Sequence, residues 1–424
     1  MIRVLFVDDE ARVLSGLRRS LRRMRAEWDV ACAASGQAAL EALERRTFDV
    51  VVADMRMAGI DGAEVLRAAL RNDPRTLRLA LTGHTSERTV LRAVPLTHQY
   101  LAKPCDIREL AAVIRGVQAR RQRVPDPEIQ RRVSGLACLP SVPEAWQQMV
   151  ALASTASPSL RGMARLVARD VAMRAKVLQL TGSGFFGCRS RPLPSRMAVA
   201  LLGAKLLRRL VLQAQVVQPL KAHPRSGFDI RGFSNHGYRT AAWARTIARA
   251  EGLPPALVAQ VSIAGMLHDA GRVALAAQFP LEYRGVIALA RGQGITLEEA
   301  ERRVFGTTHA EVGALLLGQW GIDASVVDAV ARHHRPKSDA SGQVGVLAAV
   351  HVANAIDHRL HPVEGETAAT EADGQYLRSL GLEPRVAVWE ELCRRRGWEK
   401  DFAPWTGSSS STTTPTSSRP SSAS

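Results

Sequence analysis

The sequence predicts two fold classes in series: a doubly wound α/β domain with a five-stranded parallel sheet, then an all-α region. Three observations carry this reading. Over the first ~120 residues, short β-branched or aliphatic runs alternate five times with segments of helical apolar spacing. The third run, Val50-Val51-Val52, is apolar throughout, the composition of a strand buried on both faces of a parallel sheet, and it stops on a carboxylate, Asp54. After the Arg/Gln-rich stretch from Ala119 to Arg132, with Pro125 and Pro127, the strand signal disappears and only helical patterns follow.

The elements follow in order. A strand over Ile2 to Val7 leads into a helix whose apolar positions Val13, Leu17, Leu21 and Met24 keep helical spacing. A strand from Asp29 to Ala33 precedes a helix from Gln37 to Arg46. The Asp54 strand then enters the turn Ala58-Gly59-Ile60-Asp61-Gly62 and a helix from Ala63 to Arg71. A strand Arg78 to Thr82, a further helix, a strand His98 to Leu101 and a helix Ile107 to Gln118 complete the alternation. In the second half, Leu206, Leu207, Leu210, Val211, Ala214 and Val217 lie along one helix face, with breaks at Ser157-Pro158, Arg191 to Pro194, Pro219 and Leu253 to Pro255.

Composition narrows the class. A chain of 424 residues, 46% hydrophobic and 23% charged, is long enough for two or three domains with their own cores. No apolar run approaches the ~18 residues that span a bilayer, and the first one ends in Asp8-Asp9-Glu10, unlike a signal peptide. The five cysteines, Cys32, Cys105, Cys138, Cys188 and Cys393, are odd in number and far apart, which argues for a reducing cytoplasm. The net charge of +17 is mostly arginine, with six lysines among 57 basic residues and no basic block longer than two before Arg394-Arg395-Arg396. It reads as a scattered excess without a nucleic-acid site, since no reader-helix or zinc-finger pattern accompanies it.

The polar residues at the strand ends belong together. In open α/β sheets, chemistry collects at the carboxyl ends of the strands. Strand one ends at Asp8-Asp9, strand three at Asp54, strand four at Thr82 and strand five at Lys103-Pro104. An Asp in such a place serves as metal ligand, nucleophile or helix cap, and capping is the commonest use. Three carboxylates at one edge require a cation, and a hard divalent ion such as Mg²⁺ suits them. An ionised Asp is also a competent nucleophile toward phosphorus. The hydroxyl of Thr82 and the ammonium of Lys103, the only lysine before Lys176, can hold phosphoryl oxygens.

On these residues the first 120 positions resemble the receiver domain of two-component response regulators, a flavodoxin-like fold. The resemblance implies Asp54 as phosphoacceptor, Thr82 and Lys103 as its catalytic partners, and Asp8, Asp9 and Asp54 as Mg²⁺ ligands. It further implies a switch in which Tyr100 turns inward, a cis Lys103-Pro104 peptide, and a sensor histidine kinase as partner. Ala58 stands where family members often carry proline.

The second half resembles the HDOD domain, a helical module related to the HD phosphohydrolases. The matching stretches are Leu139-Pro140-Ser141-Val142-Pro143, Arg169-Asp170-Val171-Ala172-Met173, Thr181 through Gly187, and Leu193-Pro194-Ser195 through Gly203. Within it fall His236, His268-Asp269, His309 and His333-His334. In HD phosphohydrolases, imidazoles and an Asp from separate helices converge on one or two metal ions, so the resemblance implies an HD-like metal site for Mn, Fe or Zn. Neighbours on a helix point ~100° apart, so each doublet is expected to divide its contacts. Singly, His236 and His309 read as packed or capping histidines. Against catalysis stand Asn354, where the family's closing Asp is expected, Arg272 in place of a lysine, and Lys337 to Gly342 in place of a Gly-Tyr-Pro signature. Asp357 lies one turn beyond Asn354.

The expected organisation is a receiver over 1–120, a linker over 121–136, an HDOD domain over 137–345, a helical extension over 346–405, and a disordered Ser/Thr/Pro-rich tail over 406–424. The expected function is a cytoplasmic response regulator. Asp54 receives a phosphoryl group, and the helical domain relays that state, without catalysis, to an unidentified downstream protein. The alternative is a receiver-gated, metal-dependent phosphodiesterase acting on a cyclic dinucleotide or related phosphodiester. No membrane insertion and no specific nucleic acid are expected, and a homodimer is left open.

Overall fold

A computed structural model describes residues 1–83, 91–182, 193–212, 214, 218–219, 227–336, 344–362 and 371–397. The motif residues Ser183 to Gly187, the stretch Lys337 to Gly342, Cys188 and the 406–424 tail lie outside the described residues, as does most of the segment read as a helix between the fourth and fifth strands.

Strands β1 (Ile2–Val7), β2 (Trp28–Ala33), β3 (Val50–Asp54), β4 (Leu77–Thr82) and β5 (Gln99–Ala102) pair in parallel in the order β2-β1-β3-β4-β5. Side-chain alternation sorts each strand between two apolar clusters. Val4, Phe6, Val50 and Val52 join one with residues of α1 (Ala11–Ser20). Leu5, Val7, Val51 and Ala53 join the other with residues of α2 (Gly36–Arg45) and α3 (Gly62–Asn72). Helix α4 (Ile107–Arg121) adds Leu110, Ile114 and Val117 to the first cluster. The fold is therefore doubly wound, as the all-apolar β3 requires.

The Arg/Gln-rich joint carries a helix of its own, α5 (Pro127–Ser134), capped by Asp126 on the amides of Glu128 and Ile129. Ile129 and Val133, one turn apart, give it a buried face that the charge of the stretch hides from a compositional reading.

The second half is helical. Among the described residues it comprises α6 (Pro143–Ser154), α7 (Leu160–Arg169), α8 (Val171–Thr181), α9 (Ser195–Leu212), α10 (Ile230–Ala250), α11 (Pro255–Leu267), α12 (Ala270–Gln278), α13 (Pro280–Gln293), α14 (Leu297–Phe305), α15 (His309–Gln319), α16 (Ala324–Arg332) and α17 (Val346–Leu360). Helices α18 (Gly374–Ser379) and α19 (Val386–Arg396) follow. One departure from an all-α region is a two-residue parallel pair, Pro140–Ser141 with Gln218–Pro219.

The halves meet directly. Gln179 on α8 donates through Nε2 to the carbonyls of Thr97 (3.2 Å) and His98 (2.9 Å) at the start of β5. Gln99 of β5 donates to the carbonyls of Gly318 and Gln319, both at 3.1 Å, at the end of α15. Buried Lys176 donates to the carbonyls of Val94 (3.4 Å) and Ala137 (2.7 Å). Each of these long polar side chains donates across the junction, which fixes register as well as contact.

One close approach sets the geometry of the helical half. A Cβ on Gly271 of α12 would meet the His309 carbonyl at 1.9 Å and the Gly313 amide nitrogen at 2.7 Å on α15. The two helices thus cross backbone to backbone, which glycine alone permits. Gly271→Ala should destabilise the protein by about 1–3 kcal/mol through overpacking. Gly285→Ala, in the interior of α13 with nothing within 4 Å of the new Cβ, should be neutral to stabilising by up to about 1 kcal/mol. Denaturant unfolding monitored by circular dichroism measures both; equal effects would remove the steric account.

Candidate functional site

Two clusters of titratable groups stand out, one in each half. In the sheet domain, register places the acids side by side: Val7 pairs with Ala53, so the following Asp8 and Asp54 emerge from adjacent strand ends. Asp8, Asp9 and Asp54 each present an oxygen within 4.8 Å of the others. Asp8 and Asp54 are buried while Asp9 is exposed. Lys103 lies 2.7 Å from Asp8 Oδ2 and 2.9 Å from Asp54 Oδ2. Burial opposes the charge on Lys103, but hydrogen bonds to Asp8 and Asp54 outweigh it and raise its pKa. The Lys103-Pro104 peptide is cis. Thr82 ends β4, and its carbonyl accepts from the Lys103 amide at 2.9 Å, so hydroxyl and ammonium border the same edge. One ammonium against three carboxylates leaves net negative charge, and the all-oxygen donor set fits a hard divalent cation. Tyr100 is buried, and that burial raises its pKa.

The second cluster joins five helices. His236 lies within α10, His268-Asp269 at the α11–α12 junction, His309 at the first residue of α15, and His333-His334 just beyond α16. Their ligand atoms form two groups that share Asp269: His236, His268 and Asp269, and Asp269, His309, His333 and His334. Asp269 Oδ1 lies 3.4 Å from His268 Nε2, 3.2 Å from His309 Nε2 and 3.3 Å from His333 Nε2. Its Oδ2 accepts from Arg272 at 3.0 Å.

One expectation is corrected here. His236 and His309 belong to the cluster and are not merely packed or capping residues. Both residues of each doublet turn into the centre, yet they divide its contacts: His268 meets His236 while Asp269 reaches His309 and His333, and His334 meets His309 while His333 meets Asp269. The ~100° rule holds inside a helix, whereas His268 and Asp269 fall where α11 ends and α12 begins, with Asp269 at φ −97°, ψ 10°. His333 likewise caps α16, and its ring centroid lies 4.0 Å from that of His334.

The outer hydrogen bonds assign the tautomers. His236 Nδ1 meets Asp357 Oδ2 at 2.7 Å, and His309 Nδ1 meets Glu301 Oε2 at 2.6 Å. His268 Nδ1 faces the Gly265 carbonyl and His333 Nδ1 the Val330 carbonyl, both at 2.8 Å. Since these partners accept only, each Nδ1 carries a proton, and in a neutral ring Nε2 keeps a lone pair toward the centre. Yet His236 Nε2 lies 3.1 Å from His268 Nε2, and His309 Nε2 lies 3.0 Å from His334 Nε2. Two ring nitrogens so close share either a proton, as His309 can supply, or a metal cation. With metal–nitrogen bonds of about 2.1 Å, neighbouring donors sit about 3.0 Å apart in an octahedron and about 3.4 Å in a tetrahedron. The residues fit a transition metal.

Protonation agrees with this. Burial drives His268 and His334 well below the usual imidazole range. Burial presses His309 down as well, but Glu301 and Asp269 overcome it and hold it up at about 10. Without a metal ion, a proton on His309 serves as counter-charge, and metal binding must displace it. Burial would raise Asp269, but His268, His309 and Arg272 keep it well below the carboxylate range.

Sequence reasoning missed Glu301 and pointed to Asp357 only as a carboxylate one turn beyond Asn354. Glu301 is fully buried; the available signal was its place on the apolar face of α14 with Leu297, Ala300 and Phe305. Asp357 does not close the centre as a ligand. It supports His236 while Arg239 holds it through two bonds of 2.7 and 2.9 Å and Trp243 Nε1 donates at 3.2 Å. Asn354 is buried, and both of its amide atoms lack a partner among the described residues.

Glu301→Gln should lower transition-metal affinity about ten- to hundredfold while leaving Mg²⁺ affinity at the Asp8-Asp9-Asp54 edge unchanged. Chelator competition with Mn²⁺ or Zn²⁺ measures the first and Mg²⁺-dependent fluorescence the second; unchanged transition-metal affinity would deny Glu301 an orienting role.

Comparison with known proteins matches each half separately. The family model described as the response regulator receiver domain matches residues 4–115, and that of the HDOD domain matches residues 139–336. An uncharacterized protein of Treponema pallidum (strain Nichols) is 25% identical over 215 residues, 49% of this chain and 41% of that protein. The transcriptional regulatory protein TrcR of Mycobacterium tuberculosis is 34% identical over 129 residues, 30% of this chain and 49% of that one. The chain thus spans less than half the length of either relative. The crystal structure of the MmoQ response regulator from Methylococcus capsulatus is 22% identical, with a TM-score of 0.46, over 60% of this chain and 92% of that chain.

Proposed function

This chain belongs to the receiver and HDOD families, one per half, and from that premise we propose that it is a phosphorylation-controlled regulator with a metal-dependent phosphohydrolase centre as its output. The observation that carries the reading is the set of imidazole Nε2 atoms turned inward around Asp269, with four of the five Nδ1 atoms tied by carboxylates or carbonyls.

In the receiver, a sensor histidine kinase is the donor. An ionised oxygen of Asp54 attacks phosphorus, the bond to the donor nitrogen breaks, and an acyl phosphate forms on Asp54. Asp8, Asp9 and Asp54 would hold Mg²⁺, which when bound would supply the positive charge that lets a carboxylate approach a phosphoryl group. Lys103, already on Asp54, neutralises the new oxygens, and Thr82 at the neighbouring strand end donates its hydroxyl to them.

In the HDOD domain, His236, His268, Asp269, His309, His333 and His334 would hold one or two transition-metal ions, which supply Lewis acidity for water and for a phosphoryl oxygen. Glu301 and Asp357 fix the tautomers of His309 and His236. Arg272 restrains Asp269, which leaves Oδ1 as the oxygen directed to the ligands. Asp269 is the one carboxylate in this set, so the occupied centre is net positive and favours an anionic phosphoester.

A second reading, a non-catalytic protein-binding output, is favoured by Asn354. A neutral amide where the family's closing carboxylate is expected weakens the hold on a hydrolytic cation.

Two experiments test the proposal. Acetyl phosphate with Mg²⁺ should label the protein, and Asp54→Ala should abolish the base-labile acyl phosphate. Protein loaded with Mn²⁺ or Fe²⁺ should hydrolyse bis-p-nitrophenyl phosphate or a cyclic dinucleotide. Asp269→Ala should lower that rate by about a hundredfold or more, and Asn354→Asp should raise it. A fully loaded centre without turnover in either Asp54 state would leave the protein-binding output standing.

The contacts between β5, α8 and α15 predict that Asp54 modification is felt across the junction. Beryllofluoride should change hydrogen exchange in residues 98–135 and at the end of α15. Changes confined to the loops around Asp54 would reduce the junction to a tether.

A further inference from the structure

The chain's positive charge is concentrated, contrary to the scattered excess the sequence reading expected. Residues 151–250 hold 17 of the 57 lysines and arginines and two of the 40 carboxylates, Asp170 and Asp229, which gives +15 of the net +17. Both acids are already committed to helix starts: Asp170 accepts from the Met173 and Val142 amides, Asp229 from the Arg231 amide. Helical spacing, invisible to a search for consecutive basic residues, brings the cations together. Arg161, Arg165 and Arg169 recur every fourth residue along α7, which carries no acid. Like charges one turn apart destabilise a helix, so this ladder weakens α7 unless an anion lies against it.

The ladder borders a cavity of about 680 Å³ between α6, α7 and α10, within the size range of small-molecule sites. Arg165, Arg169, Gln148 and Tyr238 supply its polar wall, Leu152 and Leu166 part of its apolar one, and among the described residues no carboxylate lines it. Arg165 is exposed and Arg169 half-buried. Tyr238 is electrostatically coupled to both Arg169 and Arg174. Arg174 is 7% exposed, its Nε has no hydrogen-bond partner among the described residues, and one Nη donates to Ser262 Oγ at 3.4 Å. Burial first, then Arg245, pulls its pKa down to about 10, and no carboxylate bears on it. A buried cation without a counter-ion is costly, and an anion seated nearby would offset that cost.

We propose that this cavity binds a nucleotide-sized organic phosphate, with its phosphate on Arg165 and Arg169 and its planar ring against Tyr238 and the leucine wall. Bidentate guanidinium forks suit phosphate oxygens, and an aromatic face suits a base. A polymer backbone would be held by exposed cations along an open surface; here the lining charge recedes from exposed Arg165 to half-buried Arg169, which suits a ligand that enters a recess. The site is separate from the metal centre. His236 and Tyr238 lie two residues apart on α10, so they face nearly opposite sides of it. A ligand here is an effector that acts on the centre through α10, and it does not depend on that centre being catalytic.

Calorimetric titration of the full chain at 0.15 M salt with ATP, AMP, pyrophosphate and a thymidine oligonucleotide tests this. ATP or AMP should bind saturably at one per chain. Arg165→Gln, at an exposed position, and Arg169→Gln should each weaken binding about ten- to hundredfold. Tyr238→Leu should weaken the nucleotide and spare pyrophosphate. Metal content and Asp54 labelling of Arg165→Gln should match the parent, which shows an intact fold and separates this site from the other two. Undiminished nucleotide binding by Arg165→Gln, absence of saturable nucleotide binding, or binding of the oligonucleotide alone overturns the proposal.

Discussion

A fully buried carboxylate has to be neutralised, and the helical half is arranged around how Asp269 meets that demand. Arg272 takes one oxygen, and three imidazoles surround the other at 3.2–3.4 Å. Those imidazoles are themselves oriented from behind, so their lone pairs converge where positive charge is needed. The arrangement depends on α12 and α15 crossing in backbone contact at Gly271, because Asp269 immediately precedes one helix and His309 begins the other. Any residue larger than glycine at that crossing would move the carboxylate away from its ring nitrogens.

Helix α15 ties this centre to the sheet domain. Its first residue is a member of the cluster, and its last turn accepts two hydrogen bonds from Gln99 on β5. A packed helix transmits displacement as a rigid body far better than as bending. The strand end that borders Thr82 and Lys103 is therefore three residues from a side chain anchored to the helix that presents His309. Gln179 holds the carbonyls of Thr97 and His98 just before the strand. β5 is thus tied to two helices of the other domain.

Charge divides the molecule in a complementary way. Carboxylates collect at the strand ends and behind the histidines, where they position cations. Arginines collect on α7, which carries no acid, and along a cavity lined by no carboxylate among the described residues. Surface ion pairs such as Arg231–Glu144 consume part of the positive excess, but each contributes little in water.

The sequence by itself determined the sheet domain almost completely. Its strands are short apolar runs, its candidate site residues fall at their ends, and parallel pairing in register brings Asp8, Asp54, Thr82 and Lys103 to one edge. Period and position suffice there because a parallel α/β sheet admits few arrangements. In the helical half, the sequence named His236, His268, Asp269, His309, His333 and His334 but could not assemble them. Helical spacing orders residues along one helix and says nothing of how helices cross. Tertiary structure decided that the doublets sit at helix ends, that Glu301 and Asp357 stand behind the imidazoles, and that a crossing at Gly271 closes the cluster. It also decided that arginines four residues apart line a cavity. Each of these depends on contacts between residues distant in the chain, fixed by packing and by the neutralisation of buried charge.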